Sequence, residues 1–397
     1  MSYHHVTFLN NQEEVRALLA KIGVDDGAYP FLLPKGVYRH IVLKAIPCRV
    51  ANIIKQEMLS KGGEAAVSKE ALYGEGHTDV LLMGTLKQYR LLVKKLRLQP
   101  LGLKQIAGEI EKLLDNLHPA TRELELCHGR SLQLGKKTLV MGILNVTPDS
   151  FSDGGRYTDI EQAVKHALEM REQGADIIDI GGVSTRPGAQ LASLQEELAR
   201  VLPVVKRLAY EDMILSIDTF RGTVAAACLD AGAHLINNIG GLVLDEGLLP
   251  VLVESKAPVV LMHNRLQINA GKPYQDLIAD IIHELDIMIK ETTAAGFPED
   301  KIIIDPGLGF GKTPAENRLV IKRLGSFKSL GKPILIGASR KGFIGHSLDV
   351  KVDQRLEGSL AVLAAAILNG ADIIRVHDVK ESYRAAKMID LIKNENG

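Results

Sequence analysis

The alternation of strand and helix patterns from residue 138 onward limits the fold more than any other feature of this sequence. Short apolar runs predict buried strands at residues 139–144, 177–180, 214–217, 235–237, 259–262, 302–304, 334–336 and 373–376. Amphipathic patterns between them predict helices, for example at residues 160–173, 194–208, 221–231, 274–295, 354–368 and 379–393. Fully apolar strands separated by helices are typical of parallel sheets that are covered on both faces. Eight strand–helix units in about 250 residues predict a (β/α)8 barrel, the TIM barrel of the α/β class.

A doubly wound open sheet is the alternative architecture for such an alternation. That fold would place a glycine-rich, dinucleotide-binding turn directly after its first strand. The residues that follow Asn145 are Val-Thr-Pro-Asp-Ser-Phe, which contain no such turn. The sequence therefore favours the barrel.

The first 120 residues lie outside the alternating region and predict a small α/β domain, so that the barrel domain would cover residues 121–397. Helix patterns occur at residues 11–22, 51–61, 87–98 and 103–117, and strand patterns at residues 38–46 and 78–84. A cationic cluster predicts a solvated helix face in preference to an anion or RNA site, and its members are Lys87, Arg90, Lys94, Lys95, Arg97 and Lys104. Alternating leucines at residues 122–134 predict a β-hairpin that leads into the barrel. The sequence of this domain indicates no function.

The composition argues against several classes of partner and site. Lysine and arginine together number 48, as do aspartate and glutamate, so the formal net charge is zero. Such a chain has no overall field that would attract nucleic acid or an acidic membrane surface, and we expect neither as a partner. The N-terminus lacks a signal-peptide pattern and no apolar stretch is long enough to span a bilayer, so we expect a cytoplasmic protein. The three cysteines (Cys48, Cys127 and Cys228) lack metal-ligand spacing, which argues against a zinc site and a disulfide framework.

Polar and charged residues follow the predicted strands at the end where barrel enzymes carry their active sites. A single Asp or Asn at such a place is more often a loop cap than a functional residue. Here polar residues follow nearly every strand, and this coincidence predicts one site at the carboxyl end of the barrel. The residues are Asn145, Asp218, Asn237, Met262 with His263, Asp305, Ser339 with Lys341, and Arg375 with His377.

Two kinds of chemistry are represented in this set. Carboxylates, one amide and one cation from strands across the barrel (Asp218, Asn237, Asp305 and Lys341) suit a flat heterocycle whose edge carries both donors and acceptors. Arg375 and His377 form a second group, because their side chains point to the same side of the eighth strand. In a closed barrel the eighth strand neighbours the first, so this group lies near Asn145. An Arg and a His beside a neutral oxygen ligand suit a pyrophosphate that is carried with Mg²⁺.

Several long motifs together resemble one family. Residues 141–155 are Met-Gly-Ile-Leu-Asn-Val-Thr-Pro-Asp-Ser-Phe-Ser-Asp-Gly-Gly, and residues 184–189 are Ser-Thr-Arg-Pro-Gly-Ala. Asp-Pro-Gly-Leu-Gly-Phe-Gly-Lys follows at 305–312, Ser-Arg-Lys at 339–341 and Arg-Val-His-Asp at 375–378. From residue 132 to the C-terminus the chain resembles the dihydropteroate synthases, the pterin-binding TIM barrels of folate biosynthesis that sulfonamides target.

The resemblance implies a reaction and a role for each matching residue. The reaction would join 6-hydroxymethyl-7,8-dihydropterin diphosphate to 4-aminobenzoate through a dissociative displacement, with Mg²⁺ as cofactor and a homodimer as the assembly. The implied pterin ligands are Asp218, Asn237, Met262, Asp305, Gly337 and Lys341. The implied diphosphate ligands are Asn145, Thr185, Arg186, Arg375 and His377, with Asn145 also on the metal ion. The implied aminobenzoate pocket is Phe151, Thr185, Arg186, Pro187, Phe310, Ser339 and Lys341. The residues expected to take part directly in catalysis are Asp153, Lys341, Arg375 and His377.

The chain departs from the family pattern at three positions. Val183 stands where many members carry Glu, Asn238 where an Asp is common, and Gly342 where a larger residue is common. We expect the first two to change only the support of the site, whereas Gly342 could change the aminobenzoate end.

Two other functions fit part of the pattern. A pterin-binding barrel of the methyltetrahydrofolate–corrinoid methyltransferase kind would share Asp218, Asn237 and Asp305 but has no use for Arg375 and His377 as a diphosphate grip. A non-catalytic pterin-binding barrel would not need the whole set of polar residues. The sequence favours the synthase over both.

Overall fold

A computed structural model describes residues 3–117, 121–146, 156–183, 192–240, 242, 244–266 and 269–395 of the chain. The chain divides into two compact units, with the boundary between residues 118 and 119. Among the described residues, no helix combines the length and the apolar character that a membrane span requires.

The N-terminal unit is the predicted small α/β domain. Its strands form an antiparallel sheet in the order β1-β3-β2, with bounds β1 Tyr38–Pro47, β2 Glu64–Val67 and β3 His77–Thr85. Its helices are α1 Gln12–Ile22, α2 Tyr29–Gly36, α3 Cys48–Ser60, α4 Leu86–Leu96 and α5 Leu103–Asn116. Apolar residues of α3, α4 and α5 pack with one face of the sheet in a single core. The sequence patterns missed α2, which contains Pro34, and β2, which has four residues.

The second unit is the predicted barrel. Its parallel strands are β6 Leu139–Asn145, β7 Ile177–Gly181, β8 Ile214–Asp218, β9 Leu235–Asn238, β10 Val259–Met262, β11 Ile302–Asp305, β12 Leu335–Ile336 and β13 Ile373–Val376. They pair in the order β11-β10-β9-β8-β7-β6-β13-β12. A parallel bridge between Ile304 and Ile334 then joins β11 to the residue before β12, which closes the ring. The (β/α)8 prediction is confirmed, and the predicted strand bounds differ from these by one residue at most.

Helices cover the outside of the barrel. They are α6 Arg156–Glu172, α7 Leu194–Leu208, α8 Gly222–Asp230, α9 Leu248–Ser255, α10 Leu277–Ala294, α11 Pro314–Lys322, α12 Gly342–Leu348, α13 Leu356–Leu368 and α14 Val379–Asn394. Capping boxes start two of them, because Ser193 with Glu196 and Thr313 with Glu316 satisfy the first free N–H groups of α7 and α11. An apolar core lies between the strands and this helical layer.

The inside of the barrel is apolar at its amino end. Alternate residues of the strands point inward there, including Met141, Ile177, Val260 and Ile303, and they pack against the leucines of a hairpin. The hairpin is the predicted one, with strands β4 Arg122–Glu125 and β5 Ser131–Leu134. Its leucines close the lower, amino end of the barrel interior with apolar side chains.

His234, which directly precedes β9, is a buried histidine at this lower end of the barrel. Its side chain is 6% exposed, and its Nδ1 accepts a hydrogen bond from the backbone N–H of Leu215 at 3.0 Å. Burial, together with the nearby His128 and Arg130, lowers the pKa of His234 from 6.5 to about 4. Between these two pH values the unfolded chain binds more protons, so the free energy of unfolding falls as the pH falls.

We expect His234→Asn to flatten this acid-side slope, because the Asn side-chain oxygen can accept the same hydrogen bond without taking up a proton. The loss of stability between pH 6.5 and pH 4 should shrink by up to about 3 kcal/mol, as urea titrations at the two pH values would measure. An unchanged slope would show that His234 does not titrate as described.

Candidate active site

A layer of polar side chains stands inside the barrel above its apolar lower half. The parallel register places Asp218 of β8 beside Asn237 of β9 and Met262 of β10 beside Asp305 of β11. Asn237 and Met262 are each 2% exposed and Asp305 is 5% exposed. We call the group formed by Asp218, Asn237, Asp305, Lys341 and Arg375 the polar slot.

Arg375 of β13 links two carboxylates in the polar slot. Its Nε donates to Asp179 Oδ2 at 2.6 Å, and its Nη2 donates to Asp218 Oδ2 at 2.6 Å. Burial lowers the pKa of the guanidinium, but the two carboxylates outweigh burial and raise that pKa above its ordinary value. Arg375 therefore supplies a permanent positive charge at the carboxyl end of the barrel.

Asp218 is the most strongly perturbed acid of the slot. Burial raises its pKa to about 7; Arg375 lowers the pKa, and the charges of Asp179 and Glu197 raise it. A carboxyl group that titrates near neutrality can either accept or donate a hydrogen bond to a ligand. A shift of this kind in a cleft is characteristic of functional sites.

Asp305 at the end of β11 and Lys341 in the loop after β12 bring one charge of each sign to the slot. Asp305 Oδ1 accepts the N–H of Gly307 at 2.7 Å, while Lys341 Nζ donates to the carbonyl of Leu308 and lies 4.6 Å from the centre of the Phe310 ring. Burial lowers the pKa of Lys341 to about 8 against the opposing effect of Asp305. Burial likewise raises the pKa of Asp305, and Lys341 opposes that rise. The two charges therefore stabilise each other inside the slot.

The loops after β12 and β13 meet at the rim of the slot. Ser339 Oγ lies 3.1 Å from His377 Nδ1 and accepts the backbone N–H of His377 at 3.2 Å. Arg340 forms a two-pronged pair with Asp378, through Nε at 3.0 Å and Nη2 at 2.5 Å. This pair ties the two loops together and fixes His377 relative to Ser339.

A buried cluster behind the slot holds the loop after β11. Lys312 Nζ donates to the carbonyl of Gly307 at 2.9 Å and lies 2.9 Å from His263 Nδ1, while His263 Nε2 lies 2.8 Å from Glu284 Oε2. Burial lowers the pKa of His263 to about 4, although Glu284 raises it, so the ring is neutral. Its Nε2 proton then faces the Glu284 carboxylate, and its Nδ1 accepts from Lys312. The cluster fixes the backbone that caps Asp305.

The structure brings together many of the residues that the sequence predicts. The polar slot contains Asp218, Asn237, Asp305, Lys341 and Arg375, with Met262 and Gly337 buried at neighbouring strand ends. Phe310 lies against Lys341, Ser339 lies against His377, and Asn145 is half-buried at the end of β6. The remaining predicted residues lie outside the described part of the chain, namely Phe151, Asp153, Thr185, Arg186 and Pro187. The individual roles of all these residues stay predictions.

Sequence reasoning missed Asp179 and gave no role to His263 and Lys312. Asp179 lies in the middle of β7 and is 0% exposed. The available signal was a lone carboxylate inside an otherwise apolar strand, since a buried charge is stable only with a partner. The partner, Arg375, lies 196 positions away in the sequence, where no local pattern points to it.

Comparison with known proteins agrees with this geometry. The model of the family described as "pterin binding enzyme" matches residues 141–377. The dihydropteroate synthase of Bacillus subtilis is 47% identical over 268 residues, which are 67% of this chain and 93% of the relative. A solved structure of the Xanthomonas albilineans dihydropteroate synthase with 4-aminobenzoic acid has 41% identity and a TM-score of 0.65, and the match covers 69% of this chain and 100% of that one.

The N-terminal unit has a counterpart in a larger relative. A probable bifunctional folylpolyglutamate synthase/dihydropteroate synthase of Halobacterium salinarum is 39% identical over 388 residues, which are 97% of this chain. The chain spans only 46% of that relative. The family model and the match to 93% of the Bacillus enzyme together show that this chain belongs to the dihydropteroate synthase family of pterin-binding enzymes.

Proposed function

We propose that this chain is a dihydropteroate synthase, a transferase that condenses 6-hydroxymethyl-7,8-dihydropterin diphosphate with 4-aminobenzoate to give 7,8-dihydropteroate and diphosphate. The observation that carries the proposal is the polar slot, in which carboxylates, an amide and a lysine converge in the barrel of a family member. A pterin edge presents N–H donors and N or O acceptors in a plane, and this set of side chains can match both.

The electrostatics of the slot fit a displacement in which the leaving group departs before the new bond has formed. The pterin ring can spread positive charge as diphosphate leaves its exocyclic methylene. Asp218 and Asp305 would favour a cationic pterin, while Arg375 and His377 would favour the departing anion. Burial of the slot strengthens each of these interactions and limits the access of water, which would compete with the arylamine.

We propose Mg²⁺ as the cofactor, with Asn145 as its protein ligand. Among the described residues, no group of three or more His, Cys, Asp or Glu side chains could hold a metal ion. Mg²⁺ often takes one or two protein oxygens and completes its shell with substrate phosphates and waters, so Asn145 alone could serve as its ligand from the protein. When bound, the ion would neutralise charge on the diphosphate, and the side-chain oxygen of Asn145 would orient it.

The assembly and location of the protein are also proposals. We propose a homodimer, as the family resemblance implies, and a cytoplasmic location, as the sequence patterns indicate. Sedimentation of the purified chain would show a dimer mass, and a monomer at micromolar concentration would contradict this assignment.

Asp305→Asn tests the pterin end of the slot. The Asn oxygen can still accept the N–H of Gly307, so the loop should keep its conformation while the charge is lost. We expect affinity for 6-hydroxymethylpterin to fall by about 1.5–3 kcal/mol, the range for hydrogen bonds to charged groups. Asp372→Asn is the matched control, because Asp372 also accepts a backbone N–H, from Ile334 at 2.8 Å, but lies at the amino end of β13. Calorimetry should show that this control binds the pterin with unchanged affinity. If both variants bind the pterin equally well, Asp305 does not contact it.

Removal of the N-terminal unit tests whether the barrel is sufficient. The Bacillus relative aligns with only 67% of this chain, yet 93% of its own length is matched. We therefore expect a chain that lacks residues 1–120 to fold and to keep its turnover within about threefold, which corresponds to roughly 0.7 kcal/mol. A folded but inactive barrel would show that the N-terminal unit takes part in the reaction.

A substrate-dependence assay distinguishes the synthase from its rivals. The synthase should release diphosphate from the dihydropterin substrate over many turnovers only when 4-aminobenzoate is present to trap the pterin cation. A methyltransferase-like barrel would bind methyltetrahydrofolate and release no diphosphate, and a non-catalytic barrel would bind a pterin without turnover. Either of the latter results would contradict the proposed function.

A further inference from the structure

Asp179 occupies a place that a ligand cannot reach. It lies in β7, where its register partners are Ile143 of β6 and Ser216 of β8, two residues below the end of the strand at Gly181. Its side chain is 0% exposed. Asp179 can therefore influence the position of a substrate only through the side chains that it holds.

One oxygen of Asp179 holds two members of the polar slot. Oδ2 accepts Arg375 Nε at 2.6 Å and Asn237 Nδ2 at 2.9 Å. Arg375 belongs to β13 and Asn237 to β9. In the sheet these strands lie on opposite sides of β7, each two strands away from it. Asp179 therefore contacts both residues and couples their positions.

The contact with Asn237 fixes which end of its amide faces the slot. A carboxylate is an acceptor only, so the group that Asn237 turns towards Asp179 must be its NH₂. The amide oxygen is then left to face a ligand. An Asn held in this way selects a ligand edge that donates a hydrogen bond, such as a ring N–H, and disfavours an edge that only accepts.

The hydrogen bond from Arg375 to Asp179 can hold the guanidinium in place when a substrate binds. Arg375 also donates to Asp218 at 2.6 Å, but Asp218 is itself a proposed pterin ligand. When an Asp218 oxygen turns to a substrate, the bond from Arg375 Nε to Asp179 can remain. Asp179 thus keeps the guanidinium in position for the diphosphate.

We propose that Asp179 is a positioning residue that orients the Asn237 amide towards the pterin and holds Arg375 for the diphosphate. This inference deepens the proposed function and rests on it for the identity of the two ligands. It predicts that a single change at Asp179 weakens both subsites, whereas changes at Asn237 or Arg375 each weaken mainly one.

A double-mutant cycle in the full-length protein tests the Asn237 half. Asp179→Asn should lower the affinity for 6-hydroxymethylpterin about tenfold or more by calorimetry, because the Asn237 amide is no longer held in one orientation. In the Asn237→Ala background the same change should cost less than about threefold. Equal losses in both backgrounds would overturn the Asn237 half of the proposal. Ser216→Ala is the matched control, since Ser216 is the buried register neighbour of Asp179, and it should leave the affinity unchanged.

A second cycle with inorganic pyrophosphate and Mg²⁺ tests the Arg375 half. Asp179→Asn should weaken pyrophosphate binding at least about fivefold, and the loss should largely disappear in the Arg375→Ala background. A loss that persists there would show that Asp179 does not act through Arg375. Both cycles measure binding alone, so they can be read even if the wild-type protein makes no dihydropteroate, a result that would instead remove the proposed function.

The wild-type protein provides a test that does not depend on the folding of a variant. With selective ¹⁵N labelling, the side-chain NH₂ of Asn237 should give one proton that is protected from solvent exchange, as expected for a buried bond to a carboxylate. Rapid exchange of both protons would overturn the proposed orientation of Asn237.

Discussion

Arg375→Ala should lower turnover by a factor of about 10²–10³ and destabilise the barrel by about 3–5 kcal/mol. The two effects share one cause. Arg375 pairs with Asp179 and Asp218 at 2.6 Å each, and its removal leaves two buried carboxylates without their cation. The pKa of Asp218, already raised to about 7 by burial, should rise further, since Arg375 is the group that lowers it most.

The measurements are steady-state kinetics and urea unfolding of the full-length variant. Arg130→Ala is the matched control, because Arg130 also pairs with an aspartate, Asp212 at 2.6 Å, but both side chains are largely exposed. That pair should contribute less than about 1 kcal/mol. A variant at Arg375 that loses no more stability and turnover than the control would contradict the assigned network. In the Arg375 variant, affinity for a bare pterin should also fall less than turnover of the diphosphate substrate.

Gly307→Ala should be the most damaging single-methyl addition near the slot. Gly307 has a φ of +70° and an added Cβ would stand 1.8 Å from the carbonyl oxygen of His263. The left-handed conformation costs an alanine about 1–2 kcal/mol, and the backbone clash adds a repacking cost of about 1–3 kcal/mol. The loop can relieve the clash only by moving, which would break the bond from the Gly307 N–H to Asp305.

We therefore expect Gly307→Ala to lose about 2–5 kcal/mol in the free energy of unfolding and to lose pterin affinity as well. Gly325→Ala is the control, because the nearest atom to its added Cβ is the Asn369 carbonyl oxygen at 3.5 Å. Urea titration and calorimetry of both variants measure the difference. Near-equal stability would mean that the loop after β11 does not have the conformation described.

Much of the barrel could be predicted from the sequence because its strands are buried on both faces. Runs such as the Ile302–Asp305 strand are apolar except at their end, so both the strand and the position of its functional side chain follow from one pattern. The N-terminal unit was harder to predict. Helix α2 contains prolines, which argue against a helix when only the sequence is read. Strand β2 is too short to show an alternation of apolar and polar residues.

The polar slot could be predicted as a set but not as a network. Strand ends converge in any closed barrel, which is why Asp218, Asn237 and Arg375 could be placed in one site from the sequence. Which of them touch depends on register and side-chain direction across strands far apart in the chain. Asp179 shows this limit, because nothing near it in the sequence indicates that it holds both Asn237 and Arg375.

Product formation by the purified full-length chain would show directly whether this protein is a dihydropteroate synthase. The protein would be incubated with 6-hydroxymethyl-7,8-dihydropterin diphosphate and 4-aminobenzoate, with Mg²⁺ and with a chelator, and the product would be identified by its mass. We expect 7,8-dihydropteroate in equal amount to the diphosphate released, its loss on chelation and its return when Mg²⁺ is restored. A folded protein that binds the pterin but forms no dihydropteroate under any of these conditions would contradict the proposed function.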